Sequence, residues 1–169
     1  LALTQATKAL GADQVILTGT RKGRLEMGKQ MGADYTVNVR EGEDPVKVIK
    51  ELTNGVGADV VFDAAGVSNS LDDALDLVRP GGAIVMVAFY KAPVNVNINK
   101  AVVRNVNLYT VRGEGRRNVR RSLSLAAQRK IDLRPLITHE FALKDINQAF
   151  ETFTKRIDNA MKVIVHPQR

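Results

Sequence analysis

Cations set beside small residues are the groups in this sequence best suited to chemistry. Thr18-Gly19-Thr20 runs directly into Arg21-Lys22-Gly23-Arg24, and no carboxylate interrupts the stretch. Guanidinium groups beside an uncluttered turn can grip phosphate bidentately. The plain alternative is a solvated basic helix start. Ala64-Ala65-Gly66-Val67 is a second small-residue stretch, directly after Val60-Val61-Phe62-Asp63. It either admits a close-lying ligand or is only a tight strand-to-helix connection. Arg112, Arg116, Arg117, Arg120 and Arg121 form a dense basic cluster. Nucleic-acid backbone, the carboxylates of another subunit and plain solvent are all open to it, and like charges four apart on a helix repel mildly.

No catalytic residue and no metal ligand is assigned. His139 and His166 are the only histidines, neither has a near second ligand, and His139-Glu140 does not continue as H-E-x-x-H. Gly113-Glu114-Gly115-Arg116-Arg117-Asn118 half-matches the G-x-G-x-x-G phosphate loop, but Asn118 replaces the last glycine. Cysteine is absent, which excludes disulfides, thiolate nucleophiles and Cys-bound metals within these residues and fits a cytoplasmic setting. The 169 residues carry a net charge of +7, from 25 basic and 18 acidic side chains, which favours anionic partners. Aromatics are only 5%, with no Trp, so platforms for stacking bases are scarce and a nucleic-acid partner is disfavoured. The longest apolar run, Ala83 to Tyr90, is eight residues, against the roughly 20 of a membrane span, so no membrane partner is expected.

A repeated unit must position these groups. Three times an amphipathic helical stretch ends at a glycine hinge and feeds a β-rich run. The hinges are Gly11-Ala12-Asp13, Gly32-Ala33-Asp34 and Gly57-Ala58-Asp59; the runs are Val15-Ile16-Leu17, Tyr35-Thr36-Val37 and Val60-Val61-Phe62. A fourth unit turns at Pro80-Gly81-Gly82 into Ala83-Ile84-Val85-Met86-Val87. The runs read as apolar on both faces, as in a parallel sheet covered by helices on each side. Asp44-Pro45 predicts an N-cap with Pro at N1, and Ser70 with Asp73 predicts a capping box ahead of the buried stripe Leu71, Ala74, Leu75 and Val78. Pro93 to Asn99 predicts an edge strand or extended loop, Val106 to Val111 a strand, Val119 to Ala127 and Leu143 to Phe153 helices, and Met161 to Val165 a last strand. The fold class is therefore α/β, a doubly wound parallel sheet of Rossmann type.

Such a sheet, in the order 3-2-1-4-5-6, opens with a central strand, a glycine turn and a helix. This sequence opens inside a helical pattern, Leu3, Ala6 and Leu10, with no N-cap and no signal-peptide pattern. The expectation is that sequence precedes Leu1 and that the first strand is lacking, which leaves the strands at Val15 and Tyr35 without their bridge to the later ones. In a NAD site an Asp or Glu near the end of the second strand binds the ribose 2′-hydroxyl. Here Asp13 precedes that strand, Glu26 lies in the next helix, and cations follow the strand instead. That suits the 2′-phosphate of NADP, so NADP is preferred to NAD.

Leu10-Gly11-Ala12-Asp13-Gln14-Val15-Ile16, Arg24-Leu25 with Met31-Gly32-Ala33-Asp34, Asp59-Val60-Val61-Phe62-Asp63-Ala64-Ala65-Gly66, and Leu77 to Val87 around Pro80-Gly81-Gly82 resemble the cofactor half of the medium-chain dehydrogenases/reductases. The likeness runs on through Pro135-Leu136-Ile137-Thr138 and Ile146-Asn147-Gln148-Ala149-Phe150 to Lys162-Val163-Ile164-Val165, so it covers essentially the whole chain. The branch it looks nearest to is the zinc-dependent polyol and threonine dehydrogenases. The resemblance implies a cofactor site. The acidic NAD-selecting position would fall on Gly19, with Thr20, Arg21 and Arg24 around the adenosine ribose. Ala64, Ala65, Gly66 and Val67 would line the cofactor groove. Val87, Ala88 and Phe89, then Val111, Arg112 and Gly113, would approach the nicotinamide end, and Lys162 would meet the pyrophosphate.

The function expected from this resemblance is the cofactor-binding part of an oxidoreductase moving a hydride between an alcohol or polyol and a nicotinamide cofactor. A small-molecule alcohol or carbonyl would be the substrate. Zinc and its ligands are expected only upstream of Leu1. Residues 1–140 would form the NAD(P)-binding domain, and 141–169 the helix and strand that return to the catalytic domain. Residues 106–111 would be an edge strand joining a homo-oligomer. A zinc-free quinone reductase, a non-catalytic NADP(H)-binding module and a nucleic-acid-binding module are the alternatives.

Overall fold

The computed structural model describes residues 1–113 and 115–168; Glu114, inside the half-matched glycine stretch, and Arg169 lie outside the described residues. The chain opens with α1 (Ala2–Ala9), β1 (Ile16–Gly19), α2 (Lys22–Gln30) and β2 (Tyr35–Asn38). β1 and β2 pair in parallel, from Ile16 opposite Tyr35 to Gly19 opposite Asn38. Both helices stop as the hinge pattern requires. Gly11 and Gly32 adopt φ of 98° and 99°, and the next residues' amides, of Ala12 and Ala33, return to the carbonyls of Thr7 and Gly28 at 3.0 and 2.9 Å. α3 (Pro45–Leu52) starts where predicted, with the Asp44 carboxylate accepting from the amides of Val46 at 2.9 Å and Lys47 at 3.4 Å.

β3 (Ala58–Asp63), α4 (Ser70–Leu77), β4 (Val78–Met86), α5 (Asn99–Arg104) and β5 (Asn107–Thr110) follow. Their strands form a parallel sheet in the order β3-β4-β5, with Phe62, Val85 and Tyr109 in one row. The main core lies on the face under α4 and α5. There Leu71, Ala74 and Leu75 of α4 and Ala101 of α5 bury Val78 and Ile84 of β4, with Val61 and Leu108 packed alongside. α6 (Arg116–Ala127), β6 (Ile137–Ala142), α7 (Ile146–Lys155) and β7 (Lys162–His166) complete the chain, and β6 pairs with β7 in parallel under α7.

The α/β architecture of parallel strands and helices is as expected, but the sheet is not continuous. The described strands fall into three groups, and neither β1 nor β2 pairs with β3, β4 or β5. The break falls where the central first strand was expected to be lacking. A second correction concerns burial. The strands are not covered on both faces: on the side of β3 away from α4, Val60 and Phe62 remain 45% and 37% exposed, and α6 buries no residue. No capping box forms at α4 either. Asn69 is the N-cap, which puts Ser70 already inside the helix, and the Ser70 hydroxyl donates to the buried Asp63 carboxylate at 2.7 Å. Residues 91–98 are a loop rather than an edge strand. β4 already begins at Val78, with a register shift ahead of Ala83 that absorbs Pro80-Gly81-Gly82. The expected boundary between residues 140 and 141 falls inside β6.

Leu75 is fully buried, so Leu75→Ala leaves a cavity as well as losing apolar contact. It should lower stability by about 2–5 kcal/mol, read as a shifted urea midpoint, whereas Leu123→Ala on exposed α6 should stay within about 0.5 kcal/mol.

Candidate functional site

The carboxyl ends of β1 and β3 face each other across a cleft of about 1800 Å³. Parallel strands deliver their following loops to one edge, which is where ligands bind in open α/β sheets. Gly19, Thr20, Arg21 and Arg24 enter the cleft from the β1–α2 turn, and Ala64, Ala65, Gly66 and Val67 from the loop after β3. Phe89 enters from the loop after β4, and Lys162 from the start of β7. Five of the expected positions do not line it. Val87 and Ala88 sit just beside it, with their amides on the Asp63 carbonyl at 2.9 and 3.1 Å. Val111, Arg112 and Gly113 follow β5 outside the cleft, and the Val111 amide donates to the Met86 carbonyl at 3.2 Å.

One buried carboxylate organises the floor. Asp63 ends β3, and its side chain accepts from the amides of Ala65 at 3.0 Å and Gly66 at 3.1 Å, from the Ser70 hydroxyl and from the Tyr90 hydroxyl. Its backbone carbonyl holds the start of the next loop, as above. A single residue therefore ties the loop after β3 to the loop after β4. Gly66 is required at this seam: its φ is 60°, and a Cβ there would lie 2.8 Å from the Ala88 Cβ and 2.9 Å from the Phe89 carbonyl oxygen. Burial pushes the Asp63 carboxyl up, but donation from Tyr90, Ser70, Gly66 and Ala65 outweighs it and leaves its pKa below the ordinary Asp value of 3.8. Burial, then the same hydrogen bond to Asp63, pushes the Tyr90 phenol up.

The walls are cationic. Lys91, Arg129, Arg134 and Arg156 join Arg21, Arg24 and Lys162, while Asp132, ion-paired to Arg134 at 2.7 Å, is the one lining carboxylate among the described residues. These additional cations and the organising role of Asp63 were not anticipated. The cations come from segments far apart in sequence, and the Tyr90 that marks Asp63 lies 27 positions on. A small-residue loop over a buried anchor, with cations on both sides, fits a polyanion such as a dinucleotide diphosphate.

Among the described residues the remaining groups form no second centre. His139 pairs with the Thr138 hydroxyl at 2.9 Å and His166 with Glu140 at 2.7 Å. No group of three or more His, Cys, Asp or Glu suited to a metal occurs among the described residues, so the present side chains do not fit a zinc site. No helix of the described residues is long and apolar enough to cross a membrane. Arg116, Arg117, Arg120 and Arg121 lie exposed on α6, away from the cleft.

A parallel α/β unit with a cationic cleft at its strand ends is a nucleotide-binding architecture. The family model of the zinc-binding dehydrogenases matches residues 1–128, and the chain belongs to that family. It is 35% identical over 162 residues to the L-threonine 3-dehydrogenase of Bacillus subtilis, covering 95% of this chain and 46% of that protein. It is 32% identical over 171 residues to the (R,R)-butanediol dehydrogenase of Neisseria gonorrhoeae, covering 99% and 47%. An alcohol dehydrogenase from Thermotoga maritima superposes with a TM-score of 0.88 at 29% identity, over 96% of this chain and 46% of that one. The chain thus spans about half the length of the curated relatives it matches.

The seam at Asp63 has a pH signature. A depressed pKa contributes stability that is complete above the ordinary value of 3.8 and is lost as pH falls below it toward the lower folded value. Asp63→Asn should lower stability by about 1–3 kcal/mol at pH 7 and flatten that acid-side loss, measured as urea midpoints between pH 3 and 7. An unchanged acid-side slope would count against the assignment.

Proposed function

We propose that this chain is the cofactor-binding half of a medium-chain dehydrogenase that oxidises an alcohol or polyol, or reduces the matching carbonyl, with NADP preferred to NAD. The observation that carries the reading is the cation-walled cleft at the strand ends, closed at its floor by the Asp63–Gly66 seam. Membership of the zinc-binding dehydrogenase family and the names of the relatives, which include threonine, butanediol, sorbitol and alcohol dehydrogenases, support the chemistry. When bound, the cofactor supplies the hydride acceptor and donor, its nicotinamide C4.

The chain's own residues hold and orient it. Arg21, with Arg24 and the Thr20 hydroxyl, meets the adenosine side. Gly19 leaves no carboxylate to repel a 2′-phosphate. Ala64, Ala65, Gly66 and Val67 let the dinucleotide lie close to the backbone, and Lys162 faces its pyrophosphate. Val87, Ala88 and Phe89 border the way to the nicotinamide, with Val111, Arg112 and Gly113 further along the same sheet edge. The substrate-side zinc and its ligands belong to the rest of the full-length protein. Residues 141–169 are the segment returning to that part, and residues 106–111 the edge that joins subunits in a cytoplasmic homo-oligomer.

The cofactor choice is tested by binding. In the natural full-length protein, Gly19→Asp with Arg21→Gln should shift the ratio of NADPH to NADH affinity toward NADH by roughly a hundredfold, followed by calorimetry. A ratio that does not move would remove the β1–α2 turn from the cofactor site.

A further inference from the structure

β1 and β2 end side by side, Gly19 opposite Asn38, so Arg21 and Arg40 each stand two residues beyond the last paired position. Arg40 lies in the short turn Val39–Glu41, where the Asn38 side chain accepts from its amide at 3.2 Å. A third approach comes from the far end of the chain. Arg156 caps α7 in the left-handed region, at φ 58° and ψ 40°, and leads into the turn Ile157–Asn159. That turn rests against the first turn of α2: a Cβ on Gly23 would be 3.8 Å from the Asn159 side chain. Arg156 lines the same cleft as Arg21 and Arg24.

The guanidiniums of Arg21, Arg24 and Arg156 therefore line one cleft from two separate stretches of chain, and Arg40 stands beside Arg21 at the neighbouring strand end. Among the described residues none of Arg21, Arg24, Arg40 and Arg156 has an ion pair. Burial first, and then the charges of Arg24, Arg156 and Arg40, pull the Arg21 pKa below the usual arginine value. A neutral ribose hydroxyl would leave that repulsion standing. A phosphate monoester carries about −1.5 to −2 charges at pH 7 and three acceptor oxygens, enough to engage several guanidiniums at once.

We propose that Arg156 and Arg40 complete, with Arg21 and Arg24, a four-guanidinium cage for the 2′-phosphate of the cofactor's adenosine. Cofactor choice is then set by the C-terminal segment and the turn after β2 as well as by the β1–α2 turn. This rests on the cofactor reading given above.

The test uses the natural full-length protein and its Arg156→Gln, Arg40→Gln and Arg21→Gln variants, titrated by calorimetry with NADPH, NADH, adenosine 2′,5′-bisphosphate and 5′-AMP. Arg156→Gln and Arg40→Gln should each weaken NADPH and the bisphosphate roughly tenfold while leaving NADH and 5′-AMP within about twofold. The double variant should approach NADH-like affinity for NADPH. NADPH binding unchanged in Arg156→Gln and Arg40→Gln but weakened in Arg21→Gln would overturn this inference alone. Equal affinity of the unsubstituted protein for NADPH and NADH would overturn the cofactor reading, and this inference with it. A uniform loss for all four ligands would make the two arginines structural and likewise overturn the cage.

Discussion

The burial of one carboxylate, Asp63, constrains the whole crevice. A buried charge without partners is too unfavourable to persist, so donors must be brought to it. Four arrive: two loop amides, a helix-start hydroxyl and a phenol. Each donor fixes an element. The loop after β3 must turn back at once, α4 must start at Ser70, and the chain leaving β4 must return as far as Tyr90. Gly66 sits where those two loops touch, in a space that holds no Cβ. The flat, small-sided floor of the cleft is thus a by-product of satisfying a single charge.

Parallel pairing supplies the second constraint. Because β1 and β2 run together, and β3, β4 and β5 run together, each group sends its following loops to one edge, and the loops after β1, β3 and β4 meet at the cleft. The two groups do not touch by backbone pairing, so β1 and β3 each leave one edge open beside the cleft. The doubly wound order seats a central strand between such edges. The superposition on full-length dehydrogenase structures over 96% of this chain shows that the two groups nevertheless keep the spacing of the complete fold. What joins them is helix packing, α3 against α4, rather than a shared ladder.

Local signals in the sequence were legible where the physics is local. Asp44-Pro45 and the Gly11 and Gly32 hinges each act within a few residues, and each is found where the residue types put it. The stripe Leu71, Ala74 and Leu75 is likewise set by helical period alone. Competition between partners was not legible. Ser70 is one residue past the N-cap, at Asn69, and its hydroxyl instead donates to Asp63, a buried acceptor seven residues back. β6 was missed because its apolar residues are interrupted by Thr138, His139 and Glu140, and its pairing with β7 crosses more than 20 residues. The expectation that both faces of each strand are covered failed for the same reason: an apolar residue states a preference for burial, not the presence of a neighbour to bury it.

Charge shows how far composition carries an argument. A net charge of +7 says only that anions are welcome. The structure divides the cations by what they face. Lys100 is held between Asp72 and Asp76, Arg79 by Asp59 and Lys8 by Asp34; these pairs fasten helix to helix, strand to strand and α1 to the start of β2. The arginines of α6 stand on a convex, exposed helix with only a shallow hollow between Arg116 and Arg120. Among the described residues Arg21, Arg24 and Arg156, with Lys91, Arg129 and Lys162, combine the absence of an ion pair with a concave wall at the strand ends. An extended polyanion such as duplex nucleic acid needs a long basic track, whereas a few converging guanidiniums in a cleft suit a compact phosphate. Concavity, not the number of positive charges, therefore separates the nucleotide reading from the nucleic-acid one.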